Sequence, residues 1–495
     1  MLRISMRGAL VVLGLLLGAS PLKADDSHYQ DHLVGGRAVS LGGAFASIAD
    51  DPSGLFYNPA GIVDSRQLSL QVSTSLYGFE RGSYNVDVIT LPIPGVDSLS
   101  VEFTDLIIVP VSAGAVKTFG KKGPDGLPTQ AYSFSIMVPS YRSSSIKAPY
   151  SSGGETNDPA FQASELSYGR RVTDRSLWTG VGYAKKLSNG LRLGVGAHYV
   201  LRSMVAVEEV SSNATLTEEL SSGADPEEVF QLASNDISFI NGSLVLVAGL
   251  KYRSRRFSYG LSLRSPSLQV HSRAELRFEN GKSIPEVDCA DWSGASASPA
   301  CGDEGVLVGG GTSQFWSPEP RRVESETKHP PAIRAGMSYS IPYKLTVSAD
   351  LIYHFPTSYT LLNLVGEGTE RLPFNPKINR NQVLNFNLGF EYLLIREVSF
   401  AVGVFSDFSS ADPLRKMTYA TEQQPDIDLG GFVLSLGYFG EHALSRVGLL
   451  YNSGHGYDVI PVNDVKQAFD ASQDFQRVDY FQSFFYLFLS STFRY

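Results

Sequence analysis

From residue 177 onward the chain alternates between two kinds of side chain that cannot share one solvent. Leu177, Thr179, Val181, Tyr183 and Leu187 fall on one face, while Trp178, Gly180, Gly182, Ala184 and Lys186 fall on the other. Ser188-Asn189-Gly190 then gives a tight-turn signal between two alternating runs. Beyond it Leu191, Leu193, Val195, Ala197, Tyr199 and Leu201 face one way, and Arg192, Gly194, Gly196 and His198 the opposite way. Successive strand residues point to opposite sides of a sheet, so each run has a large apolar face and a small or charged one. A soluble sandwich would bury the first and expose the second to bulk water. A Gly-rich face with scattered charge suits a confined lumen better, which sends the apolar face to lipid.

The pattern recurs in phase. Phe257, Tyr259, Leu261 and Leu263 alternate with Ser258, Gly260, Ser262 and Arg264; Ile333, Ala335, Met337 and Tyr339 alternate with Arg334, Gly336 and Ser338. Leu345 to Tyr353 and Leu384 to Tyr392 repeat it. Short links near Asn189, Arg255, Pro342, Arg396 and Glu441 alternate with long polar links over 208–236, 279–322, 356–381, 409–428 and 453–479. In outer-membrane barrels the short turns are periplasmic and the long loops extracellular. Counting back from the C-terminus gives about fourteen strands, the earliest near 67–79, 104–118, 130–142 and 174–187. The expected fold is thus all-β, a transmembrane antiparallel barrel over residues 66–495. The 43% apolar content is spread so that no stretch after the leader approaches the run of about 18 apolar residues that a membrane helix needs.

Both ends of the chain agree with that destination. Arg3 and Arg7 precede an apolar run, Ala9 to Leu17, and Leu22-Lys23-Ala24 offers a cleavage site, so residues 1–24 read as a signal peptide. At the other end Phe485, Leu487, Leu489, Ser491, Phe493 and Tyr495 put every second residue on the lipid face. This ending resembles the signature by which outer-membrane proteins are delivered to the barrel-assembly machinery. As an edge strand of a soluble protein, a face this apolar would invite aggregation.

Between leader and strands, residues 25–65 form a compact Gly-rich segment. Gly35-Gly36-Arg37-Ala38, Leu41-Gly42-Gly43-Ala44-Phe45, Ala49-Asp50-Asp51-Pro52-Ser53 and Phe56-Tyr57-Asn58-Pro59-Ala60-Gly61 occur in it in that order. The segment resembles the N-terminal hatch of the FadL-type family, outer-membrane transporters of long-chain fatty acids and aromatic hydrocarbons. That resemblance implies a hatch plugging a fourteen-stranded barrel, extracellular loops that collect a hydrophobic ligand, and an interruption in the third strand that releases it sideways into outer-membrane lipid. Passive uptake of a hydrophobic small molecule by a monomer, long-chain fatty acid foremost, is the function so implied. Related barrels with this hatch serve as shuttles for secreted or surface proteins, which is the alternative reading.

Candidate residues follow from position. In the hatch, Phe45, Phe56, Tyr57, Asn58, Pro59 and Ala60 either meet the ligand or anchor the plug, whereas Asp50 and Asp51 suit turn or capping roles. Pro139 lies inside the third strand, where proline removes a ladder donor, and marks the candidate lateral exit, with Pro110 as its rival. Arg264, Arg334 and Asp350 fall inward at similar height on adjacent strands, as salt-bridge braces or as a site for a ligand carboxylate; Arg192, His198 and Lys251 are further lumen candidates. Cys289 and Cys301 share one polar link of an exported chain, which predicts a loop disulfide worth about 3 kcal/mol in the chain-entropy account.

Enzyme and nucleotide chemistry find no support. Gly281-Lys282-Ser283 would end a phosphate loop, but Leu276 stands where that motif needs Gly. No Gly-x-Ser-x-Gly elbow occurs, and Ser453 with His455 has no partnering acid at a readable spacing. The 8 His show no metal spacing, so no metal or cofactor is expected. With 41 Lys and Arg against 50 Asp and Glu, a nucleic-acid partner is not expected either.

Overall fold

The computed structural model describes residues 28–30, 32–65, 68–87, 98–123, 126, 128–151, 161–187, 190–218, 227–288, 311–317, 319, 321–363, 377–415, 418–419, 425–462 and 474–494. The signal segment 1–24, most of the Ser188-Asn189-Gly190 turn and both cysteines lie outside them.

Fourteen strands close into one antiparallel barrel. They are β1 (Leu68–Asp87), β2 (Ser98–Lys122), β3 (Pro128–Ser151), β4 (Phe161–Lys186), β5 (Leu191–Leu216) and β6 (Glu228–Arg253). There follow β7 in two segments (Phe257–Arg264 and Leu268–Ile284) and β8 in two segments (Arg321–Ser325 and Ala332–Ile341). The circuit is completed by β9 (Leu345–His354), β10 (Val383–Ile395), β11 (Val398–Asp407), β12 (Asp426–Phe439), β13 (Ala443–Val462) and β14 (Asp474–Arg494). Each strand pairs with its sequence neighbour, and β1 returns to β14 in register from Ser69↔Arg494 to Asn85↔Asp479. Joining first strand to last pairs the backbone round the barrel, as a membrane-spanning sheet requires, except along one stretch between β2 and β3.

The phase read from the sequence holds. β10 alternates buried and exposed over most of its length, with Leu384, Phe386, Leu388, Phe390 and Tyr392 outward. Trp178, Arg192 and His198 point inward, and Val181, Val195 and Leu193 outward. No described helix is long and apolar enough to cross a membrane.

Several segments expected as loops are strand instead. β5 continues to Leu216 and β6 begins at Glu228, so only the middle of 208–236 is a link; β13 carries Ser453 and His455 and runs to Val462. Part of 279–322 pairs as Thr312–Trp316 against β7, and 356–381 holds a small antiparallel pair, Thr357–Thr360 with Lys377–Arg380. The first four strands, at 20 to 26 residues, also outrun their expected bounds. A span of about 10 tilted residues crosses the bilayer. Beyond it both faces meet water or loops, so pairing continues while the apolar alternation that revealed the strand disappears.

The hatch fills the lumen. It contains two short helices, α1 (Gly36–Ser40) and α2 (Gly54–Tyr57), and a 3₁₀ turn, Pro59–Asp64. Its Leu33, Val34, Leu41, Phe45, Leu55, Tyr57 and Ile62 are almost wholly buried. The glycines of the wall's inner face are where hatch backbone rests: a Cβ on Gly194 would lie 2.4 Å from Ala60 N, and one on Gly403 2.1 Å from Gly42 N. The small-residue face in the sequence is thus the imprint of the plug. Gly42 itself has φ 60°, a left-handed conformation that favours glycine.

Candidate functional site

Asn58, Pro59 and Ala60 fasten the hatch. The Asn58 Oδ1 accepts from Ala60 N at 3.1 Å, starting the 3₁₀ turn with Pro59 in its first position, while Nδ2 donates to Ala46 O at 2.9 Å and to Leu250 O at 3.0 Å on β6. Ion pairs reinforce this side. Asp64 meets Arg192 Nε at 2.9 Å and Lys251 Nζ at 3.1 Å, and Lys251 also donates to Ala49 O. Burial opposes ionisation of Asp64, but Lys251 and then Arg192 outweigh it and hold its carboxyl below the usual range.

On other sides of the lumen Arg37 joins Asp50 at 3.0 Å and Glu391 at 3.0 Å, and Arg446 pairs with the second Glu391 oxygen at 2.5 Å. Asp350 Oδ2 accepts from Phe45 N and Ala46 N at 3.0 and 2.9 Å, and Arg334 bridges Asp350 to Gly43 O. Arg192, Arg334 and Asp350 therefore brace the hatch. Asp51 accepts from Ser53 N and Oγ, as a turn residue would. His198 Nε2 sits 3.2 Å from Leu55 O.

Arg264 behaves differently. Its guanidinium lies over Phe56 at 4.6 Å and Trp178 at 5.1 Å, and among the described residues it makes no ion pair or hydrogen bond. It lines a cavity of about 70 Å³, room for several waters or a carboxylate group. Arg202, Lys328 and Arg380 also line this space against one carboxylate, Asp174, which pairs with Arg202. Phe56 reaches the cavity from the hatch; Tyr57 packs edge-on against Phe56 and Phe45 edge-on against Tyr57, both buried away from the cavity lining, with burial pushing the Tyr57 phenol up to about 12.

Pro139 and Ser140 form another part of the cavity wall. Among the described residues the β2–β3 ladder ends at Ser112↔Met137. Above that point β2 pairs with β1 alone and β3 with β4 alone, the latter with a register shift between Met137 and Ser140. Pro110 and Pro139 thus stand two residues beyond the last pair, one on each side of the break. Neither can donate the next ladder bond.

The N-terminal strap, residues 28–30 and 32–34, meets β3 at this opening. His32 donates its backbone N–H to Pro139 O at 3.1 Å, and its Nε2 lies 3.1 Å from Tyr141 O. The strap's other end is held by Asp407, which meets Tyr29 N, Gln30 N and His28 Nδ1 within 3.2 Å. Sequence reasoning missed the strap, Asp407 and the cavity role of Trp178 and His329. Trp178 did carry a signal, being a large aromatic among glycines on the lumen face; the strap carried none, because its partners are hundreds of residues away. Among the described residues no group of His, Cys, Asp and Glu is placed to hold a metal.

No protein-family model matches the sequence, and no curated protein does. Solved structures do. A Pseudomonas aeruginosa FadL homologue aligns over 96% of this chain and 99% of its own, at 13% identity and TM-score 0.51. The toluene transporter TodX of P. putida aligns over 94% and 99%, at 10% identity and TM-score 0.52. With the same closed wall and a plug in its lumen, the chain has the FadL-type barrel fold.

Proposed function

We propose that the protein is an outer-membrane channel, exported by its 1–24 signal segment, for passive uptake of hydrophobic molecules that end in a carboxylate, long-chain fatty acids foremost. The observation that carries this reading is Arg264: a guanidinium with no ion pair among the described residues, lying over the touching rings of Phe56 and Trp178 and lining a cavity whose wall includes Pro139. A planar guanidinium can donate two parallel hydrogen bonds to a carboxylate. A neutral hydrocarbon has no use for it, and a lining with several cations would disfavour one. The alkyl chain would follow the β2–β3 break, leaving the lumen sideways once the strap lifts from Pro139. Since Arg192, Arg334 and Asp350 brace the hatch, release at the wall leaves those ion pairs intact.

Proteoliposomes carrying the chain should take up radiolabelled palmitate faster than empty vesicles, and toluene with no comparable gain. Toluene uptake that matches palmitate would turn the assignment toward aromatic hydrocarbons. If neither is taken up, and cells lacking the chain lose surface proteins, the shuttle reading replaces transport.

A further inference from the structure

We infer that the short-turn end of the barrel, from β2 round to β7, is a binding surface for anionic phospholipid headgroups. Three consecutive short turns meet the rim on this arc. Lys117, Lys121 and Lys122 flank the first, Lys185 the second, and Arg253, Arg255 and Arg256 the third, and all are exposed. None makes an ion pair among the described residues, and Asp125 is the one carboxylate in the sequence of these turns. The whole chain, by contrast, carries net charge -9. The cations are therefore gathered at one end against the overall balance of the molecule.

An independent feature fixes their height. Phe119 stacks on Tyr132 at 4.7 Å, and Tyr252 and Tyr259 are 47% and 45% exposed, so an outward aromatic belt lies within a few residues of every one of these turns. Such rings settle at the headgroup level, with their apolar bodies toward the acyl chains. Lys117 is level with the belt, opposite Tyr132, and the other cations lie just outside it, where the phosphates are. Arg256 already leans toward the interface, donating to Tyr339 OH at 3.2 Å. Basic side chains at a bilayer surface attract anionic lipid and are screened by salt.

The inference rests on the membrane reading above only for placing this end at a leaflet. To test it, full-length protein is reconstituted in nanodiscs of phosphatidylethanolamine with phosphatidylglycerol and cardiolipin, then released for native mass spectrometry. Bound lipid should be enriched in the two anionic species over their share in the disc, less so in high salt. The triple variant R253Q/R255Q/R256Q should lower that enrichment clearly, and adding K117Q/K121Q/K122Q should abolish it. Substituting Arg273, Arg277 and Arg322 near the opposite end should leave it unchanged. Palmitate binding, measured on the same preparations, should survive the rim substitutions. Wild-type protein that binds palmitate without selecting anionic lipid would overturn the rim inference and spare the transport reading; selection that persists in the six-site variant would overturn it too.

Discussion

Laying a guanidinium over buried aromatic rings removes hydration that the ring contact returns only in part. Arg334 and Arg192 recover the remainder from Asp350 and Asp64, whereas Arg264 meets no carboxylate among the described residues. If a ligand supplies it, Arg264→Gln should weaken palmitate binding by about tenfold to a hundredfold, the worth of a hydrogen bond to a charged group. Toluene binding and barrel stability should hardly change, which calorimetry and a heat-modifiability gel would check. Asp64→Asn tests the opposite case. It leaves Arg192 and Lys251 buried without their anion, a loss of about 3–5 kcal/mol, and should expose the Pro59–Asp64 turn to hydrogen exchange. The pH dependence has a definite sign: because the folded state lowers the Asp64 carboxyl below the ordinary aspartate value of 3.8, the stabilisation is present above that pH and disappears only as pH falls further. Hatch protection should therefore be flat from neutral pH to about 5.

Among the elements, the third strand carries the sharpest claim. Pro139 was legible as a ladder fault because proline's missing N–H is a covalent fact, but its rivalry with Pro110 was a consequence of reading strands singly. Register resolves it: the two prolines flank the same break. Replacing both with Val restores two donors and favours continued pairing. The double variant should assemble normally and bind palmitate, yet release it to lipid vesicles several-fold more slowly. Unchanged release would place the exit elsewhere in the wall. The middle of each strand was legible for the same reason that its ends were not. Lipid forces alternation onto Leu384 to Tyr392, while nothing of the kind acts on Ser211 to Leu216, where both faces are outside the bilayer. The hatch was legible through its glycines, and Arg192, Lys251, Arg334 and Asp350 as lumen-facing groups, but which hatch atom each would meet was not. Asp407, Glu391 and Asp350 look alike in sequence, and only closure shows that one holds the strap, one Arg37 and Arg446, and one the Phe45–Ala46 turn.

For the whole molecule, wall and plug share one interior. Deleting residues 28–65 should leave a folded barrel whose conductance to small ions in planar bilayers rises well above the intact protein's. Equal conductance would mean that the wall collapses to fill the space. Cys289 and Cys301 lie outside the described residues; mass mapping of non-reduced protein should find them joined, and free thiols in fresh membranes would count against that pairing. The β1–β14 seam has a consequence for manufacture. The first strand of the wall waits for the last before the cylinder can shut, yet the hatch is joined to that first strand and ends up inside. A finished cylinder offers no gap wide enough to admit a folded plug bound on several sides. The cargo must be stowed before the door is hung: the segment enters an open, curling sheet, and closure of the seam imprisons it. A chain unable to make that last pairing should therefore yield neither a sealed wall nor a retained plug, however sound its other thirteen strands.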